Sequence, residues 1–298
     1  MPTNSPNTLV YIRHGIFSNH TNMSALEATV KGILLGCSID NTSYSWSDPV
    51  LQSGIRLARL VVQAVQKKGS IQKILFIGHS QGGLVCRVAV TALCDPKRLL
   101  DVLRARNAVN EPYYNIPIKE LAYLQSDIVT LGIKTRMKGI ATLATPNAGA
   151  FTFGQLAIQA QLAFFAAKKM AALAGWSNFD ELTTDKLFRI LQETKVDTIK
   201  YLSISGSGVN RYSSVSSRSL SQVPGIKHLG LYMELPNDLV VEDSSVDLSK
   251  APMPSEVADL AQQYIHIRSY TNCTDVSHTG IHHHSTVNAL LDEHLSRW

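Results

Sequence analysis

Apolar residues along this chain fall into two rhythms. TLVYIRHG (Thr8 to Gly15), KILFI (Lys73 to Ile77) and MKGIATLATPNAGA (Met137 to Ala150) are rich in apolar residues and predict buried strands, and VDTIKYLSISGSG predicts the next strand. Between them, apolar positions recur every three or four residues. That spacing predicts helices over Asn22 to Leu35, from Asp48-Pro49 to Lys68, and from about Gly82 to Cys94. In the second helix Ile55, Leu57, Leu60, Val61 and Val65 support the helical pattern, and Pro49 stands where a helix can begin. A further strand is expected near Cys37 to Trp46.

Strand and helix alternating at this spacing predict an α/β fold: a mostly parallel central sheet with helices on both faces. Residues 1–298 read as a single domain with two helical insertions. The first, about 96–136, is interrupted by NEPYYNIP. The second, about 150–195, contains the Ala-rich stretch Phe151 to Trp176. A Ser-rich loop (Tyr212 to Gln222), a Pro-flanked linker (Ala251 to Pro254), the strand YIHIRSY (Tyr264 to Tyr270), a His-rich loop and a terminal helix complete the chain.

Composition narrows this picture. Hydrophobic residues make up 45% and charged ones 17%, enough to bury a large core. The net charge of +5 is scattered in small groups, which argues against a nucleic-acid footprint and leaves only a weak attraction to anionic membrane surfaces. The N-terminus lacks the features of a secretory signal, so a cytoplasmic location is expected. Cys37, Cys86, Cys94 and Cys273 have no paired-ligand spacing and read as reduced thiols. His282, His283 and His284 have no carboxylates at ligating spacing and read as a polar loop, so no metal or cofactor is expected.

The candidate chemistry lies in Gly78-His79-Ser80-Gln81-Gly82. The G-x-S-x-G pattern alone would arise by chance in about one chain in ten of this length. Here it separates a strand from a helix, where a serine on a strained turn needs glycine two residues to either side. A serine hydroxyl also needs a base, and the base an orienting acid. Candidate acids are Glu234, Asp238, Glu242, Asp243 and Asp247, with Asp238 favoured and Asp243 the serious alternative. Candidate bases are His278, His282, His283 and His284.

RHGIFSN, GHSQGGL, TLATPNAG, NDLVVEDSS and SHTGIHHHSTVNALL occur in an order that resembles the lipase and serine-esterase branch of the α/β-hydrolase fold, close to serine esterases of intracellular lipase type. The resemblance spans about Leu9 to Leu291. It implies Ser80 as nucleophile, Asp238 as acid, His278 as base, and an oxyanion hole from the Ile16 and Gln81 amides. Two departures stand out: Leu239 replaces a frequent Gly, and Asn147 and Ala150 replace a His and a Ser, a change expected to alter the pocket wall.

The stretch from Phe151 to Trp176 is too polar for a membrane span, yet apolar around most of its circumference. In this fold such an insertion is expected to cap the acyl pocket, with Phe151, Phe153 and Leu156 against substrate; an extra core helix is the competing reading. The expected activity is carboxylester hydrolysis of a small or lipid-like ester. Acyl transfer, thioester or amide cleavage, and a non-catalytic binding protein are the alternatives. Oligomeric state is left open.

Overall fold

The structure is a computed structural model that describes residues 2–15, 18–107, 114–147, 187, 189–191, 194, 196, 198–206, 267–273 and 280–298. Its centre is a parallel sheet. β2 (Thr8–Arg13) is buried at every position, as an apolar run covered on both faces must be. β4 (Ser38–Asp40), β5 (Lys73–His79), β6 (Met137–Leu143), β7 (Lys200–Gly206) and β8 (Ile267–Cys273) join it in the order β4-β2-β5-β6-β7-β8. β1 (Thr3–Asn4) and β3 (Leu34–Leu35) form a separate parallel pair.

The helices divide between the two faces as the strand order requires. From β2 the chain steps outward through α1 (Ser24–Ile33) to β4, then returns through α2 (Val50–Lys67) to β5 on the other side of β2. Crossovers of one hand that run in opposite directions must lie on opposite faces. Accordingly Val10, Ile12, Leu75, Ile77 and Leu143 pack with α1 and the last helix, α7 (Ser285–Leu295). Leu9, Tyr11, Ile74, Phe76 and Ile140 pack with α2 and with α3 (Gln81–Cys94). Each large aliphatic side chain buried there contributes about 1.5–3 kcal/mol. The order reverses between β2 and β5, so their connections diverge and open a crevice at the strands' C-terminal ends, where ligands bind in such sheets.

After α3, the helices α4 (Pro96–Asn107), α5 (Asn115–Thr130) and α6 (Ile133–Arg136) pack beside α2 and α3. Part of the NEPYYNIP interruption is already helix, with Pro117 in the first turn of α5, where its missing N–H costs nothing. Of the second insertion, Leu187, Ile190 and Leu191 are buried in the same core; residues 150–186 lie outside the described residues.

Two strand expectations are corrected. The segment Cys37 to Trp46 is strand only over Ser38–Asp40. The Asp40 carboxylate accepts hydrogen bonds from the Thr42 N–H (3.1 Å) and hydroxyl (2.7 Å), which turns the chain out of the sheet. The strand expected to end at Tyr270 continues to Cys273, because its pairing with β7 extends to Gly206. Leu60, read as supporting the α2 pattern, faces outward. Among the described residues no helix is long and apolar enough to cross a membrane.

Candidate active site

β5 runs straight into α3, with a single residue, Ser80, at the junction. Ser80 has φ 53° and ψ −129°, a conformation that L-residues avoid and that costs about 1–3 kcal/mol. The surroundings hold it there. The Ser80 N–H donates to the Leu143 carbonyl at the end of β6 (2.8 Å), and the Ser80 carbonyl accepts from the Gly83 N–H (3.0 Å). A β-carbon on Gly78 would collide with the Gly83 backbone, and one on Gly82 with the carbonyls of Arg13 and His14. The strand-to-helix geometry expected of a nucleophile elbow is therefore present. Gly83 adds a third close approach not read from the motif, since a side chain there would run into Thr145.

Gln81 is the first residue of α3, so its N–H has no acceptor within the helix and lies at the positive end of the helix dipole. Its side chain is buried, and Nε2 donates to the Trp46 carbonyl at 2.9 Å. On the other side of Ser80 stand His14 and Gly15, both buried. A β-carbon on Gly15 would come within 3.2 Å of Ser80 Oγ and 3.3 Å of His79 Nδ1.

His14 is held in one tautomer. Its Nε2 accepts from the Tyr44 N–H at 3.4 Å, so Nδ1 carries the proton and donates to the Gly15 carbonyl at 2.9 Å. The Tyr44 ring stacks on the imidazole with centroids 4.6 Å apart, and its hydroxyl donates to the His14 carbonyl at 2.9 Å. Burial pushes the His14 pKa below its ordinary value, only partly offset by the bond to Gly15, which keeps the ring neutral. Burial of the hydroxyl pushes the Tyr44 pKa up, so it stays a donor.

Ile16, Asp238, Asp243, His278, Phe151, Phe153 and Leu156 lie outside the described residues. The chain is described again from Gly280, two residues past His278. There the turn Ile281–His283 comes back beside the elbow: His282 is buried, and its ring centroid lies 5.3 Å from that of His79 and 3.8 Å from that of His283. His79 thus packs against the histidine-rich turn. His294, in the last turn of α7, bonds the Tyr270 hydroxyl through Nε2 at 2.8 Å. Cys86 and Cys94 are buried in α3, where burial pushes both thiols up to about 12.

The side chain of Asn147 is buried. Nδ2 donates to the hydroxyls of Thr142 and Ser203, each at 3.4 Å. The Asn147 carbonyl and Oδ1 both accept from Arg87 Nη1 at 3.1 Å. Desolvation pulls the Arg87 guanidinium down to about 10. This network anchors the turn after β6, where Ala144 has φ 47° and its N–H donates to Ile204.

Residues 3–176 match the family described as "Putative serine esterase", and the chain belongs to that family. Its fold is the α/β-hydrolase fold. The mature form of the Bacillus licheniformis lipase BlEst2 superposes with a TM-score of 0.55 at 14% identity, covering 98% of this chain and 92% of that one. The propeptide form of the same lipase gives 0.58 at 14% identity, covering 99% of this chain and 52% of that one. The lin2722 gene product of Listeria innocua gives 0.50 at 9% identity, with 99% and 95% covered. No curated protein matches the chain by sequence.

Proposed function

We propose that the protein is a serine carboxylester hydrolase with Ser80 as its nucleophile. The observation that carries the reading is the forced positive φ of Ser80 at the head of α3, with backbone packed where side chains would otherwise stand. Nothing in ordinary strand-to-helix packing requires a strained serine there, whereas a nucleophile must be presented to substrate on a tight turn.

In this mechanism Ser80 Oγ forms a bond to the ester carbonyl carbon while His278 takes the hydroxyl proton. The tetrahedral oxyanion is stabilised by the backbone N–H groups of Gln81 and Ile16. As the intermediate collapses, the carbon–oxygen bond to the alcohol breaks and His278 returns the proton to the leaving oxygen. Water then repeats the sequence on the acyl-enzyme, and Asp238 orients the imidazole throughout. The return of Ile281–His283 to the elbow just after His278 supports this choice of base. The apolar Phe151, Phe153 and Leu156 would receive a lipid-like acyl chain.

The test is fluorophosphonate labelling of wild type beside Ser80→Ala, followed by hydrolysis of p-nitrophenyl esters of increasing acyl length. Absence of Ser80-dependent labelling in folded protein would remove the enzyme reading. A rate that falls steadily with acyl length would remove the lipid-like substrate. A larger loss from Asp243→Asn than from Asp238→Asn would move the acid to Asp243.

A further inference from the structure

The residues that leave the sheet after β4 reach both sides of Ser80. Tyr44 binds the β2 side three times over: its hydroxyl donates to the His14 carbonyl, its N–H to His14 Nε2, and its ring stacks on the imidazole. Two residues on, the Trp46 carbonyl accepts from the Gln81 side chain on the α3 side. Asp40 sets the direction of this excursion. It turns the chain through Thr42 and is itself tied to the buried Arg13 at 3.1 Å. Arg13 and His14 in turn supply the carbonyls against which Gly82 is pressed.

We propose that Tyr44 to Trp46 is a strap that holds the two backbone segments beside Ser80 at a fixed separation, with Tyr44, His14 and the Gln81 side chain as positioning residues for the oxyanion site. The inference rests on the reading of Ser80 as a nucleophile. Its physical content is that backbone donors stabilise an oxyanion only if their spacing is set before charge develops. A short segment hydrogen-bonded to both sides fixes that spacing without touching substrate. The parts suit the task. A carbonyl as acceptor cannot be titrated away, and a ring stacked on His14 resists sliding. The Gln81 side chain ties down the residue whose own N–H faces the reacting carbonyl.

Such a strap should act on the transition state and not on ground-state binding. Tyr44→Phe keeps the stacked ring and deletes one hydroxyl. With a p-nitrophenyl ester, kcat should fall about tenfold while KM stays within about twofold, a fraction of the loss expected from deleting a whole oxyanion donor. The inhibition constant of an alkyl trifluoromethyl ketone should rise by the same factor as kcat/KM falls. Gln81→Met, which removes the bond to Trp46, should behave alike. The double variant should lose at most about twofold more than either single one, because a strap cut at one end is already slack.

Folded Tyr44→Phe with unchanged kcat and unchanged ketone affinity overturns the proposal. Losses that multiply in the double variant overturn it too, since they would mean two independent contacts. Should Tyr44→Phe fail to fold, Gln81→Met decides by the same ratio of kcat to ketone affinity. Wild type labelled at Ser80 with Tyr44→Phe unaffected sinks the strap alone. Wild type without Ser80 labelling sinks the esterase reading and the strap with it.

Discussion

Gly15 and Ser80 face each other with no room for a side chain between them: a β-carbon on Gly15 would lie 2.7 Å from the Ser80 Cβ. Gly15→Ala must therefore push the loop after β2 away from the serine. The expected result is a loss of about a hundredfold in kcat, comparable to removing an oxyanion donor, with far-ultraviolet circular dichroism unchanged. Steady-state kinetics on a short-chain ester checks it; activity within about twofold of wild type would show that the loop yields at no cost.

Ser80 and Ala144 both carry a backbone conformation suited to glycine. Ser80→Gly should be inactive yet more stable than Ser80→Ala by about 1 kcal/mol, the relief of strain less the added chain entropy of glycine. Ala144→Gly should gain a similar amount with activity kept. Urea midpoints of the three variants test both statements, and Ser80→Gly no more stable than Ser80→Ala would refute the first.

His14 makes stability acid-sensitive in a defined direction. Its folded pKa lies below the ordinary value of 6.5 because burial disfavours the imidazolium. Between these two values the unfolded chain binds more protons than the folded one, so stability falls as pH drops below about 6.5 and is fully present above it. Protonation also removes the Nε2 lone pair that accepts from Tyr44. His14→Gln should flatten this part of the fall, as read from urea midpoints at pH 7.5 and pH 5; an unchanged slope would count against His14 as its source.

Asn147 joins Arg87 to the hydroxyls of Thr142 and Ser203, so its loss should be felt well beyond one side chain. Asn147→Ala should cost about 1–3 kcal/mol, the range for leaving buried polar groups unsatisfied. Asn147→Asp should cost less, since it still offers an oxygen to the Arg87 guanidinium and the two hydroxyls can turn to donate. Equal midpoints for wild type and Asn147→Ala would dismiss the network as a source of stability.

Much of the frame was legible in the chain itself. β2 and β5 are buried on both faces and show as the apolar runs LVYI and ILFI; β6 is buried too, though Lys138, Gly139 and Thr142 interrupt its apolar residues. The turn at Ser80 could be read in part because the need for Gly78 is local, a β-carbon there meeting Gly83 five residues on, whereas the need for Gly82, pressed against the carbonyls of Arg13 and His14, comes from the fold. Tyr44 and Trp46 could not be read this way. The segment holding them looked like strand, and they act through partners far away in sequence, Tyr44 on the His14 carbonyl and Trp46 through its own carbonyl on the Gln81 side chain, which no residue pattern marks. The same holds for Asn147: an asparagine after a strand looks like a loop residue, and only the fold brings Ser203 and Arg87 to it. Gly83 was visible but undistinguished, because its reason is Thr145, sixty-two positions on.

The strained backbone at Ser80 sets this chain on an evolutionary slope. A lineage released from selection for catalysis would gain thermal resistance by replacing that serine with glycine, and drift would favour the exchange early. A serine at position 80 in a descendant of this chain would therefore testify to continued use, in a way that serines on its surface could not.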